Sequence, residues 1–279
     1  MKVIHLPAKL SAITGKLKLK NKKIGLVPTM GALHEGHLSL MRKARKECDC
    51  LVVSIFVNPA QFCAGEDFKK YPRKLAADLA LCRKAKVDIV FLPASKDIYP
   101  EGFSTFVDVA GLSSVLCGAA RPGHFRGVAT VVLKLFNITR ADNAYFGQKD
   151  AQQAAVISRM AKDLNLPLKL SIMPIVRDQD GLALSSRNAY LGKEERLEAV
   201  VLSRALSLGR FLFDHGLTDA KRILLRLRQL ITKQKRAVVD YIAIVDAETL
   251  KPVKKVSRGC LIALAVKFGK TRLIDNIII

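Results

Sequence analysis

The 279-residue chain contains no tryptophan, and no apolar run in it approaches the roughly 18 residues that span a bilayer. A membrane-crossing helix is thereby excluded from the reading. Its six cysteines (Cys48, Cys50, Cys63, Cys82, Cys117 and Cys260) form no Cys-x-x-Cys pair and show no zinc-ligand spacing, so reduced thiols are the simplest account. Residues 1–7 carry neither a long apolar stretch nor a small-residue cleavage site, and a cytoplasmic protein is expected. Internal repeats and low-complexity tracts are also lacking. Half the residues are apolar, which excludes a disordered chain and allows a full hydrophobic core.

Acidic residues are in short supply. Twenty-four of them face 47 basic ones, a formal charge of +23. Residues 1–34 hold seven lysines and no acid, and residues 221–236 hold seven basic residues and no acid. Such a field attracts polyanions, so nucleic acid has to be considered. The second block, however, places Ile223, Leu224, Leu227, Leu230 and Ile231 on one helical face with charge around them, the pattern of an amphipathic helix. Without aromatic stacking repeats or a nucleic-acid motif, specific nucleic-acid binding is not expected.

Between residues 23 and 174, β-rich runs alternate with helical ones. Strands are predicted at 24–27, 51–57, 89–92, 144–146 and 168–172, and helices at 38–48, 75–84, 128–137 and 151–164. Near-continuous apolar strands alternating with helices predict a Rossmann-like α/β fold, a parallel sheet with helices on both faces. After residue 176 the pattern changes to two helical stretches, 193–214 and 219–235, followed by strands at 241–245, 261–266 and 272–278. The expected division is a first domain over residues 1–176 and a smaller C-terminal α+β domain over 177–279.

The richest local signal is Pro28-Thr29-Met30-Gly31-Ala32-Leu33-His34-Glu35-Gly36-His37, between the first strand and a helix. Unpaired N–H groups at a helix start, with the dipole there, favour a phosphate, and imidazoles three apart add donors on the same side. The His-x-Gly-His pattern is the nucleotide signature of adenylate-forming Rossmann-like enzymes. A zinc-protease reading requires four-residue spacing on a formed helix; here the spacing is three, with Gly36 inside it. His5 and His215 read as surface residues. Polar motifs recur after other strands: Asn58-Pro59-Ala60-Gln61, and Gly147-Gln148-Lys149-Asp150, where a lysine suits phosphate and an acid suits magnesium. Leu184-Ser185-Ser186-Arg187 supplies two hydroxyls and a guanidinium in the interdomain segment.

Longer strings occur in order around these motifs: residues 54–62, 67–73, 121–128 (Arg121-Pro122-Gly123-His124-Phe125-Arg126-Gly127-Val128), 145–153, 177–178, 181–188 and 271–276. The series resembles the pantoate–β-alanine ligase (pantothenate synthetase) family nearly end to end. The resemblance implies ATP-dependent condensation of (R)-pantoate with β-alanine through an enzyme-bound pantoyl adenylate. It implies a nucleotide- and pantoate-binding first domain, with the C-terminal domain as a lid. His34, His37, Lys149, Ser185, Ser186 and Arg187 are its catalytic candidates. ATP contacts would come from Met30, Gly31, Ala32, Leu33, His34, Glu35, Gly36, His37, Gly147, Gln148, Lys149, Asp150, Val176, Leu184, Ser185, Ser186 and Arg187. Gln61 and Gln153 would bind pantoate, Gln61 also lying near β-alanine, with Asn58, Arg121 and His124 lining the same cavity. Mg2+ is implied at Asp78, with Asp150 as a second candidate; Ala77 stands where some relatives have an acid. Phe62-Cys63-Ala64-Gly65 departs from the Phe-Gly-Pro of many relatives, and Cys63 is expected to be a buried or inert thiol. The family further implies a homodimer. The competing readings are another His-x-Gly-His nucleotidyltransferase, which would lack the paired glutamines and the second domain, and a non-enzymatic basic binding module.

Overall fold

The alternation after residue 23 condenses into a six-stranded parallel sheet in a computed structural model that describes residues 1–279. Its strands are β1 Lys2–Ile4, β2 Ile24–Thr29, β3 Cys50–Ile55, β4 Ile89–Phe91, β5 Asn143–Gly147 and β6 Lys169–Met173, in the order β1-β4-β3-β2-β5-β6. The chain runs outward from β2 to β3 and β4, then returns to lay β5 on the other side of β2. In open α/β sheets, ligands bind beyond the carboxyl ends of the strands at such a reversal.

The helices among these strands are α1 Pro7–Leu19, α2 Glu35–Glu47, α3 Leu75–Lys84, the single turns α4 Ser95–Ile98 and α5 Cys117–Ala120, α6 His124–Thr139 and α7 Ala151–Asp163. Side chains alternate across a strand. Val27, Leu51, Val53, Val90 and Tyr145 accordingly pack on one face with Leu40, Met41 and Ala44 of α2 and Cys82 of α3. Phe146, one residue on from Tyr145, turns to the opposite face and meets the ring of Phe136 on α6, with centroids 6.4 Å apart. Both faces are covered, which is why β2 and β3 are apolar almost throughout.

Two compact units are present. The first comprises Met1–Ser114, Gly118–Gly147 and Val156–Pro174; the second comprises Val115–Cys117, Gln148–Ala155 and Ile175–Ile279. The second holds α8 Lys193–Ala199, α9 Val201–Asp214 and α10 Ala220–Ile231 with an antiparallel sheet of β7 Ala237–Asp246, β8 Cys260–Phe268 and β9 Thr271–Ile278, in sequence order. Its core joins Leu202 and Leu206 of α9 and Ile223, Leu227 and Ile231 of α10 to Ile262, Leu264, Val266 and Phe268 of β8. Asp219 caps α10, its carboxylate accepting the N–H of Arg222 at 2.8 Å.

Several bounds differ from the sequence reading by a few residues, and three differences have a local cause. Residues 1–22, left unassigned there, form the edge strand β1 and helix α1, whose lysine-rich sequence blurs any apolar period. The helix predicted from residue 38 starts at Glu35, because His34 supplies a cap that simple propensity does not credit. The helix predicted over 193–214 is two, α8 and α9, meeting at Val200. No helix is long and apolar enough to cross a membrane.

Candidate active site

The loop after β2 is built by its own sequence. Thr29 Oγ1 donates to the Ser54 carbonyl at 2.8 Å and accepts the N–H of Gly31 at 3.2 Å. His34 is the N-cap of α2, with Nδ1 accepting the N–H of Gly36 at 3.2 Å; His37 Nδ1 accepts the N–H of His34 at 3.3 Å. An imidazole that accepts at Nδ1 carries its proton on Nε2. Both rings, 4.1 Å apart between centroids, are thus set as Nε2–H donors. Gly36 leaves room for the His34 ring: a Cβ there would lie 2.9 Å from His34 Cε1 and displace it. Glu35 is ion-paired to Arg42.

Asp78, on α3, is 2% exposed. Its Oδ2 accepts the N–H of Ala32 at 3.0 Å and its Oδ1 that of Leu33 at 2.8 Å. Where the resemblance implies a magnesium ligand, this carboxylate clamps the loop backbone, with an oxygen committed to each of two N–H groups.

Gln61 sits in a short 3-10 turn, Pro59–Gln61, after β3, capped by Asn58 Oδ1, which accepts the N–H of Ala60. Asn58 Nδ2 donates to Gln61 Oε1 and to the Gly127 carbonyl, both at 3.1 Å, and Tyr99 donates its hydroxyl to Asn58 Oδ1 at 2.7 Å. Burial pushes the Tyr99 phenol up to about 12, against the smaller effect of this bond, so it remains a donor throughout the neutral range. Gln61 Nε2 donates to Met30 Sδ at 3.0 Å. His124 Nδ1 donates to the Gln61 carbonyl at 2.6 Å, and its Nε2 accepts from Arg121 Nη1 at 2.9 Å. Arg121 grips Glu66 with Nε and with Nη2, the latter at 2.7 Å. Burial opposes ionisation of Glu66, but the bond to Arg121 and its charge prevail and hold the carboxyl below its ordinary range. Asn58, Arg121 and His124, predicted to line a cavity, are thus engaged in fixing Gln61 and its turn. Burial and the charge of Glu66 raise the Cys63 thiol above its ordinary value.

In the second unit, Gln148–Asp150 forms a 3-10 turn leading into α7. Lys149 Nζ lies 3.4 Å from Asp150 Oδ1, the lysine side chain mostly buried and the carboxylate about half exposed. Gln152 is buried, accepting the N–H of Cys117 at 3.0 Å and donating to the Val115 carbonyl at 2.7 Å, whereas the adjacent Gln153 is only partly buried. Val176 accepts the N–H of Leu184 at 3.0 Å, closing a turn that delivers Ser185. Ser185 Oγ accepts the N–H of Arg187 at 3.3 Å and caps the 3-10 turn Ser186–Tyr190. Glu66, Tyr99, Gly127, Gln152, Asp275 and Asn276 were missed as functional supports. Gly127, Gln152, Asp275 and Asn276 did stand in matched strings; nothing marked Glu66 or Tyr99.

A parallel sheet with a His-x-Gly-His loop on its central strand, joined to an α+β unit, is a Rossmann-like framework of the nucleotidyltransferase type. The profile described as pantoate-beta-alanine ligase matches residues 2–278, and the chain belongs to that family. It is an acid–amine ligase. Pantothenate synthetases from Heliobacterium modesticaldum and Acetivibrio thermocellus are each 54% identical over 279 residues, covering 100% of this chain and 99% of theirs. The crystal structure of pantothenate synthetase from Thermus thermophilus superposes with a TM-score of 0.94 at 45% identity, covering 99% of both chains. The pantoate-beta-alanine ligase from Francisella tularensis, complexed with beta-gamma ATP and β-alanine, gives 0.82 at 36% identity over 100% of this chain and 97% of that one.

Proposed function

We propose that this chain condenses (R)-pantoate with β-alanine in two steps on ATP. The pantoate carboxylate attacks the α-phosphorus in line, giving pantoyl adenylate and pyrophosphate. The amine of β-alanine then attacks the acyl carbon, the bond to the AMP oxygen breaks, and pantothenate and AMP leave. The imidazole pair carries this conclusion: His34 and His37, each capped through Nδ1, present Nε2–H donors at the opening of α2, where a polyphosphate is favoured. Lys149, Ser185, Ser186 and Arg187 add positive charge and donors for the oxygens on which charge accumulates, and fixed donors of this kind stabilise a transition state without reorganising. Met30, Gly31, Ala32, Leu33, Glu35, Gly36, Gly147, Gln148, Val176 and Leu184 complete the nucleotide contacts.

Gln61 serves pantoate as a donor. Its Oε1 is held by Asn58, and one of its two amide hydrogens faces Met30 Sδ, which leaves the other for a substrate oxygen. Gln153 supplies the second amide. A site built around a substrate hydroxyl rejects an analogue lacking it by about 10⁴–10⁵.

Mg2+ takes oxygen ligands and is commonly bound by one or two carboxylates together with substrate phosphates. Asp78 does not fit that part, being buried with each oxygen on a backbone N–H. No group of three or more His, Cys, Asp or Glu side chains forms a metal cage. Asp150, half exposed beside Lys149, fits a single carboxylate on a nucleotide-borne ion. Bound there, Mg2+ would neutralise triphosphate charge. We assign the working form as a cytoplasmic homodimer.

ATP–pyrophosphate exchange tests the proposal. Exchange is expected only when (R)-pantoate and magnesium are present, followed by AMP release on adding β-alanine. Exchange supported by another acid, but not by pantoate, would refute the substrate assignment.

A further inference from the structure

We propose that Asp275 and Asn276 of β9 form a positioning device for adenylate formation, fixing the Lys149 turn and, through Arg177, the base of the loop carrying Ser185–Arg187. Asn276 is 4% exposed. Its Nδ2 donates to the carbonyls of Gln148 and Lys149 at 3.0 and 2.9 Å, and its Oδ1 accepts from Gln148 Nε2 at 3.4 Å. Those two carbonyls belong to the peptide planes on either side of the Lys149 Cα. Pinning both planes sets the direction in which the Lys149 side chain leaves the backbone. A single NH2 group, with its two hydrogens diverging, does this with one residue.

Asp275 makes the same strand a junction. Its side chain is fully buried and accepts both prongs of Arg177, at 2.7 and 3.0 Å, while also accepting the N–H of Asn276 at 2.8 Å. Arg177 Nη1 donates again, to the Gly181 carbonyl at 3.0 Å, bracing the turn that Leu184 and Val176 close just before Ser185. The cation of Lys149 and the hydroxyls of Ser185 and Ser186 thus hang from one guanidinium–carboxylate–amide chain. None of Arg177, Asp275 or Asn276 is required to touch substrate; they act through the residues that do. Misplacing a catalytic group by about 1 Å can cost on the order of 10²-fold in rate.

This inference rests on the ligase reading, and its test separates the two. In the full-length enzyme, Asn276→Ala should lower the turnover of ATP–pyrophosphate exchange on the order of 10²-fold. The KM for pantoate should stay within about twofold, as expected when binding of that substrate is untouched. Aminolysis of preformed pantoyl adenylate by β-alanine should remain near the wild-type rate. Asn276→Asp should be at least as impaired, since it sets a carboxylate against two carbonyls. Arg177→Lys, which keeps charge beside Asp275 but loses the fork, provides the same readout if Asn276→Ala fails to fold. Unchanged exchange in a folded variant, or an equal fall in both half-reactions, would overturn the positioning role. Absence of exchange in the wild type would strike the ligase reading itself.

Discussion

In the proposed reaction His34 and His37 each do two jobs through opposite ring nitrogens, and the jobs separate by substitution. Asn at position 37 carries an amide oxygen near the place of Nδ1 but has no group reaching the place of Nε2. His37→Asn should therefore keep the melting temperature while exchange falls about 10²–10³-fold, the usual cost of one transition-state donor. Wild-type exchange in that variant would remove His37 from the chemistry. Gly36→Ala should push the His34 ring aside, because its Cβ would stand 2.9 Å from Cε1, and lower exchange by about tenfold or more with the fold intact. Cys63 belongs at this scale too. With its thiol raised above the ordinary value, it is protonated at neutral pH, so alkylation by iodoacetamide should be slower than for a free cysteine and climb with pH. Rapid labelling at neutral pH would contradict this. The His-x-Gly-His loop was legible in the sequence because a short contiguous string encodes it. The support of Gln61 was not, being assembled from Asn58, Tyr99, Arg121 and His124, of which Asn58 and Tyr99 alone stand 41 positions apart.

Among the elements, β2, β3, β4 and β5 were legible because burial on both faces forces nearly continuous apolar strands. The first strand and helix were not: β1 is three residues on an edge, and α1 intersperses lysine with leucine. The contact between α6 and the turn after β3 was equally invisible. Gly127 comes so close to that turn that a Cβ would lie 2.1 Å from the Ala60 carbonyl oxygen. Gly127→Ala must shift backbone, and a loss of about 1–3 kcal/mol, typical of overpacking, is expected in denaturant unfolding together with weaker pantoate binding. Asp78 performs the corresponding service from α3. Asp78→Asn turns an amide N–H towards a backbone N–H, leaving a buried donor unsatisfied at a cost of about 1–3 kcal/mol. The magnesium concentration giving half-maximal exchange should not move in this variant. A marked selective rise would restore Asp78 as a metal ligand and refute its assignment as a clamp.

For the molecule as a whole, the +23 charge is the property its individual contacts explain least. Many of the acids are already taken by basic partners, as with Asp142 and Lys18, Asp240 and Arg272, or Glu198 and Arg236. The excess cations are therefore not balanced nearby, and their summed field acts on anything anionic that approaches. ATP with its triphosphate should feel it strongly, pantoate with a single carboxylate weakly, and zwitterionic β-alanine hardly at all. Screening shortens from a Debye length of about 10 Å at 0.1 M salt to about 3 Å at 1 M. Steering by such a field raises association rates by roughly 10–10³ at low ionic strength. Raising KCl about tenfold from a low-salt buffer should accordingly lower kcat/KM for ATP severalfold, with a smaller effect for pantoate and almost none for β-alanine. An equal decline for all three would point to a salt effect on the protein rather than on substrate capture. A flat response for ATP would mean that the charge does not serve catalysis, and that capture is governed by the proposed local donors alone.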